Sequence, residues 1–155
     1  MIYEFCAENV TLLKKAMQAG ARRIELCDNL AVGGTTPSYG VTKAAVELAS
    51  DYDTTIMTMI RPRGGDFVYN DLEISIMLED IRVTAQAGSQ GVVFGALTAD
   101  KKLDKSNLEK LIAASKGMEI VFHMAFDELS DEDQLEAIDW LSQAGVTRIL
   151  TRAGV

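Results

Sequence analysis

The sequence has few cysteines and no excess of basic residues, and each shortage excludes a class of protein. Its two cysteines are too few for the disulfide framework of a small secreted protein, so we expect reduced thiols. A formal charge of −8 argues against nucleic-acid binding and against docking on an anionic membrane. The longest uncharged stretch, residues 83–99, contains three glycines and several polar side chains, so it predicts no membrane span. The N-terminus lacks the features of a secretory signal, and the cytoplasm is therefore the expected location.

One pattern repeats three times along the chain. At residues 19–26, 87–94 and 144–151, an Ala-Gly pair follows an amphipathic stretch and precedes a short apolar run. This order is typical of a helix, a glycine at its left-handed C-terminal cap, and then a strand. Asn70, Asp104 and Ser130 stand where helix N-caps are expected.

The complete pattern predicts alternating strands and helices. Strands are expected at about residues 2–6, 22–27, 54–60, 91–95, 118–123 and 147–151. Helices are expected at about residues 9–19, 40–49, 71–87, 105–115 and 131–143. Strands begin roughly every 29 residues, which indicates consecutive βα units and a parallel sheet.

Two observations favour an α/β fold of the TIM (β/α)8 barrel type over a doubly wound sheet. Glu4, Arg23 and Glu25 lie within strands, which suits a barrel interior better than a sheet covered on both faces. The dinucleotide-binding glycine fingerprint is absent after the first strand. Because such barrels usually take about 250 residues, we predict a single, incomplete barrel domain over residues 1–155. It would contain about six βα units and lack strands seven and eight.

Strand alternation determines which side chains share a face. Glu4 and Cys6 share a face on the first strand, and Glu25 and Cys27 share one on the second. If the bulky apolar faces pack against the helices, the other faces point into the lumen. Residues near the C-terminal strand ends should then surround one mouth. These residues are Cys6, Cys27, Met59, Arg61, His123 and Asp127.

The run at residues 57–67 is the most informative local motif. An alternating apolar strand ends in Arg61 and Arg63, which bracket Pro62 and precede two glycines and Asp66. Arginine is suited to fork-like recognition of carboxylate or phosphate, and glycine allows close backbone approach. The alternative is a loop whose arginines pair with nearby acids.

Five ordered motifs together resemble the CutC copper homeostasis family. They are Arg23–Cys27 (Arg-Ile-Glu-Leu-Cys), residues 33–38 (Gly-Gly-Thr-Thr-Pro-Ser), residues 59–67 (Met-Ile-Arg-Pro-Arg-Gly-Gly-Asp-Phe), residues 91–98 (Gly-Val-Val-Phe-Gly-Ala-Leu-Thr) and residues 122–127 (Phe-His-Met-Ala-Phe-Asp). The resemblance covers nearly all of the chain and implies a (β/α)8 barrel, a cytoplasmic protein and Cu(I) binding through cysteine. Two departures concern the mouth. Met124 stands where the family usually has arginine, and Arg152-Ala153 stands where it usually has Ser-Gly.

The first functional hypothesis is copper binding. Cu(I) prefers thiolate and thioether ligands, so the expected ligands are Cys6, Cys27 and Met59, with an imidazole from His123. Met57 and Met124 are further thioether candidates. The alternative is that the cysteines and methionines are simply core residues.

The second hypothesis is an enzyme that acts on a small anionic phosphate or carboxylate substrate. Glu25, His123 and Glu4 are the candidate catalytic residues, because paired carboxylates and an imidazole can perform acid–base chemistry. The expected substrate-binding residues are Arg61, Arg63, Ser38, Asp66 and Asp127. The alternative is a structural network in which Glu25 pairs with Arg61 or Arg23.

The third hypothesis is a non-catalytic domain that self-associates. Six strands without closure would leave two sheet edges and an uncovered lumen, which a second copy could cover. A homo-oligomer is therefore expected.

Overall fold

The computed structural model describes residues 1–152, so Ala153 and the end of the expected domain lie outside the described residues. Strands alternate with helices throughout. The strands are β1 (Glu4–Glu8), β2 (Arg23–Cys27), β3 (Thr55–Met59), β4 (Gly91–Phe94), β5 (Glu119–Phe122) and β6 (Arg148–Ile149). The α-helices are α1 (Leu13–Gln18), α2 (Tyr39–Ser50), α3 (Asp71–Gln86), α4 (Lys105–Ala114) and α5 (Asp131–Gln143).

The strands form one parallel sheet in the order β1-β2-β3-β4-β5-β6. Each strand therefore pairs with its neighbours in sequence, and each connection contains a helix. This arrangement is the βα-unit succession of a TIM barrel, and the predicted fold, an incomplete barrel of six units, is confirmed.

The face of the sheet that packs against the helices carries most of the core. Ile24, Leu26 and Ile56 pack with residues of α1 and α2 in one buried cluster. Phe94 and Phe122 belong to a second cluster, which includes residues of α3, α4 and α5. Fully burying such a side chain stabilises the fold by roughly 1.5–3 kcal/mol. The opposite set of side chains is thereby directed to the inner face of the sheet.

The helix ends follow the sequence signals. Asn70, Asp104 and Ser130 each accept a hydrogen bond from a backbone N–H in the first turn of the following helix, as predicted for N-caps. Gly20 and Gly145 have φ of +106° and +95°, the left-handed conformation expected just after a helix. Within residues 1–152, every helix is too short or too polar to cross a membrane.

Two local features differ from the prediction. β1 lies two residues later than expected, because the chain stays extended to Glu8 and the Asn9 N–H then bonds the Cys27 carbonyl. Asn9 takes a positive φ of 56°, and α1 starts only at Leu13. Short 3₁₀ helices at Leu30–Val32 and Met124–Glu128 were not predicted, since such single turns carry no periodic signal.

Candidate functional site

Two neighbouring strands place three potential ligand groups on the inner face. Cys6 of β1 lies directly opposite Glu25 of β2, and Cys27 follows Glu25 by two residues on the same face. The thiol sulfurs of Cys6 and Cys27 and a carboxylate oxygen of Glu25 all lie within 4.8 Å of one another. We call these three residues the thiol–carboxylate cluster. Among residues 1–152, it is the one group of three or more histidine, cysteine or acidic side chains with this spacing.

The cluster is held by hydrogen bonds from both thiols to one oxygen. The Cys6 and Cys27 sulfurs lie 3.6 Å and 3.7 Å from Glu25 Oε1. Cys27 is fully buried and Glu25 is 6% exposed, whereas Cys6 is exposed. The cluster therefore runs from the surface into the interior.

Burial and neighbouring charge oppose ionisation in this cluster. Burial raises the pKa of Glu25, and the nearby Glu4 carboxylate raises it further, against the opposing effect of the two thiol hydrogen bonds. The pKa of the Cys27 thiol is raised by its hydrogen-bonding interaction with Cys6, by burial and by the Glu25 charge. Cys27 is consequently a protonated thiol at neutral pH in the absence of a metal.

The two cysteines are too far apart along the sheet for a disulfide. Because Cys27 is offset by two residues from the position opposite Cys6, the two Cα atoms are separated by roughly 8 Å. Disulfides usually require Cα separations of about 4.4–6.8 Å. Both residues are free cysteines in the structure.

Glu4 and Arg23 form an ion pair on the same face, at the N-terminal ends of β1 and β2. The alternative network, in which Glu25 pairs with Arg61 or Arg23, is therefore wrong, because Arg23 bonds Glu4 and Arg61 bonds carbonyl groups. Glu4 and Glu25 influence each other through charge, but no hydrogen bond joins them among the described contacts. The described contacts therefore do not include a pair of carboxyl groups that shares a proton.

Methionine and valine side chains form the apolar floor next to Cys27. Met57, Met59, Val93 and Val121 pack with Cys27 in one buried cluster on the inner face. These side chains are at most 5% exposed. The lumen was expected to be uncovered, but this part of it is filled by packed side chains. Met59, a predicted ligand, thus lies in the same packed group as Cys27.

His123 does not join the thiol–carboxylate cluster. Its Nδ1 accepts the Ala125 N–H at 3.1 Å, and its ring packs at 4.9 Å from the Phe67 ring centre. Burial, followed by the charge of Arg61, lowers the pKa of His123 to about 3. With its Nδ1 lone pair occupied and so low a basicity, His123 is placed neither as a ligand beside the thiols nor as a general base at neutral pH.

Arg61 is buried and bonded to the main chain of two loops. Nη1 donates to the carbonyls of Val32 and Gly34 at 2.7 Å and 2.9 Å, and Nη2 donates to Gly65 at 2.8 Å. Its Cζ lies 5.0 Å from the Phe67 ring centre, a cation–π contact. Its Nε–H is buried and has no partner among residues 1–152.

The other predicted anion-binding residues are dispersed. Arg63 pairs with Glu73 and Asp66, so it braces its own loop, as the structural alternative predicted. Asp66 also accepts the Val68 N–H. Ser38 caps α2 by accepting the Val41 N–H, and it borders a crevice between α2 and α3. Ser38 thus shares that crevice with Arg61, whereas Arg63 and Asp66 pair with each other outside it.

A cavity of about 420 Å³ lies at the C-terminal strand ends. We call it the mouth cavity. Its walls include Gly33, Arg61, Phe67, Met124, Asp127 and Arg152, which follow β2, β3, β5 and β6. This is the end of the barrel where TIM-type folds place their sites.

Phe67 and Arg152 line the mouth cavity but were not among the predicted site residues. Arg152 Nη2 lies 3.5 Å from Met124 Sδ. Arg152 therefore supplies a cation beside Met124, the position at which an arginine was expected from the family resemblance. The Arg152 N–H also bonds Asp127. Both residues follow a predicted strand, and their place after a strand end was the sequence signal that could have identified them as mouth residues.

Comparison with known proteins gives one consistent family. The CutC family profile matches residues 1–155. A CutC family protein of Enterococcus faecalis is 55% identical over 154 residues, which cover 99% of this chain and 74% of that protein. A second, from Streptococcus pyogenes, is 54% identical over 151 residues, which cover 97% of this chain and 72% of that protein.

Solved structures agree with this assignment. The crystal structure of CutC from Streptococcus agalactiae has a TM-score of 0.96 and 48% identity, covering 100% of this chain and 74% of that chain. An archaeal fructose 1,6-bisphosphate aldolase, at 16% identity and a TM-score of 0.64, matches 89% of this chain and 52% of its own. That second likeness concerns the fold alone.

Proposed function

This chain belongs to the CutC family, and on that premise we propose that it is a cytoplasmic copper homeostasis protein that binds Cu(I) through Cys6 and Cys27. The S. agalactiae relative is described as a candidate copper homeostasis protein. The observation that carries the proposal is that the three ligand atoms of the thiol–carboxylate cluster lie within 4.8 Å of one another.

The donor set suits Cu(I). Soft thiolate and thioether sulfur favours Cu(I) over harder metal ions. Zn²⁺ usually takes four ligands in a structural site, and the cluster offers three. Met59, packed beside Cys27, is the proposed additional thioether.

The different exposure of the two cysteines suggests an order in which an ion would reach them. Cys6 is exposed and Cys27 is buried, so an incoming ion would meet Cys6 first. Binding must displace the Cys27 proton, because the thiolate is the ligand. A protonated Glu25 would avoid a third negative charge beside two thiolates, and its raised pKa favours that state.

The test is competition for Cu(I) with a chromophoric chelator under reducing conditions. We expect about one tightly bound Cu(I) per chain, with a large loss of affinity in Cys27→Ser and in Cys6→Ser. Met59→Leu should lose less, and Met118→Leu, a partly buried methionine of the other core cluster, is the matched control. Unchanged affinity in the Cys6→Ser/Cys27→Ser double variant would refute the site.

The cytoplasmic location and self-association belong to the same proposal. Two free thiols that must stay reduced to bind metal are suited to a reducing compartment. For self-association, the support is that Ile2 and Tyr3 are exposed next to β1, which pairs only with β2 among the described strands. Light scattering of the protein as it elutes from a size-exclusion column tests self-association. The molar mass of a monomer at all protein concentrations would contradict it.

A further inference from the structure

Arg61 presents a buried positive charge without a negative partner. It is 3% exposed, and no ion pair within residues 1–152 includes it. Three neutral carbonyl groups accept hydrogen bonds from its guanidinium, and its buried Nε–H has no partner in the described part of the chain. Burying an unpaired charge is costly, so this position is suited to receive an anion.

The guanidinium lies beside the mouth cavity and not in a closed interior. Arg61 and Phe67 form part of the same cavity wall, and Phe67 packs against both Arg61 and His123. His123 accepts at Nδ1, so its neutral ring carries the proton on Nε2, which is buried and also has no partner among residues 1–152. Phe67 therefore contacts two side chains that each carry a buried N–H group without a partner in the described part of the chain.

The remaining charges of the cavity restrict the chemistry of the ligand. Arg152 adds a second cation, whereas Asp127 and Glu128 add two carboxylates to the wall. The two cations balance these two carboxylates, so the wall is better suited to a monoanion such as a carboxylate than to a phosphate dianion. The carboxylate oxygens of Asp127 and Glu128 are suited to accept hydrogen bonds from hydroxyl groups of the same ligand.

We propose that the mouth cavity binds a small hydroxycarboxylate, with its carboxylate accepting hydrogen bonds from Arg61 and its hydroxyl groups donating to Asp127 and Glu128. Arginine's planar fork matches a carboxylate, and a volume of about 420 Å³ accommodates a small molecule. This site is separate from the thiol–carboxylate cluster, and its occupation requires no metal.

Calorimetric titration of metal-free, reduced protein with glycerate tests the proposal. We expect saturable 1:1 binding that is lost in Arg61→Gln and weakened by about fivefold in Arg152→Ala. The matched control is Arg82→Gln, which removes an exposed arginine of α3 that pairs only with Glu79 among the described contacts. Cys27→Ser should retain glycerate binding, which separates this proposal from copper binding.

Arg61→Gln removes three loop contacts and can impair folding, so two further measurements keep the test decisive. Glycerate added to the wild-type protein should shift the amide resonances of Gly33 and Gly65, and Asp127→Asn should weaken binding. No heat at millimolar glycerate, or equal affinity in wild type, Arg152→Ala and Asp127→Asn, would overturn the proposal. Binding of inorganic phosphate without binding of glycerate would overturn the assignment to a carboxylate.

Discussion

Acidification should destabilise this protein through the buried imidazole of His123. The side chain is 1% exposed, and its pKa of about 3 lies well below the ordinary value of 6.5 because of burial and the charge of Arg61. In the window between these values, the unfolded chain takes up a proton and the folded protein does not. The stabilising contribution is therefore complete above the unfolded pKa and is lost as the pH falls toward the folded pKa. One pH unit in this window corresponds to about 1.4 kcal/mol, so going from about pH 7.5 to pH 5 should cost about 2 kcal/mol.

Urea unfolding at these two pH values measures this loss. The comparison variant is His123→Asn, because asparagine keeps an oxygen that can accept the Ala125 N–H but does not titrate. Other titrating groups, including Glu25, contribute to both proteins and cancel in the comparison. We expect wild type to lose about 2 kcal/mol more than the variant on acidification. The same pH dependence in both proteins would refute the reasoning.

Two further predictions concern the inner face and the helices. At pH 8, a thiol reagent should label Cys6 rapidly and Cys27 only after unfolding, because Cys6 is exposed and Cys27 is buried with a raised pKa; rapid labelling of both thiols in native protein would contradict this. Gly91→Ala should lower the free energy of unfolding by more than about 2 kcal/mol, because the added Cβ would lie 2.8 Å from the Glu119 carbonyl oxygen. Gly40→Ala, in a helix with its nearest neighbour atom at 3.9 Å, should instead stabilise by up to about 1 kcal/mol. Equal effects of the two substitutions on urea unfolding would show that this steric argument is wrong.

The sequence predicted the fold well because the relevant signals are local. Helix caps such as Asn70 and Ser130 depend on residues three positions apart, and strand faces depend on alternation. These same signals place Cys6, Glu25 and Cys27 on one face. The error at β1 arose where the local signal was weak, since the strand's end is set by a bond between Asn9 and the distant Cys27 carbonyl.

The detailed partners of the site residues were not predictable in the same way. Arg61 donates to Val32 and Gly34, residues of a loop whose shape depends on the left-handed conformations of Gly33 and Gly34. Sequence spacing does not reveal which carbonyl groups such a loop presents. The bonding of Arg61 to main-chain carbonyl groups thus follows from loop geometry and was not predicted, whereas its position at the strand end was predicted.

The central claim is that the two thiols of the thiol–carboxylate cluster bind one copper ion together. X-ray absorption spectroscopy at the copper edge, on protein loaded with one equivalent of Cu(I), tests this most directly. We expect two cysteine sulfur neighbours around copper, with one lost in Cys27→Ser and one lost in Cys6→Ser. A spectrum without sulfur neighbours, or one that neither substitution changes, would contradict it.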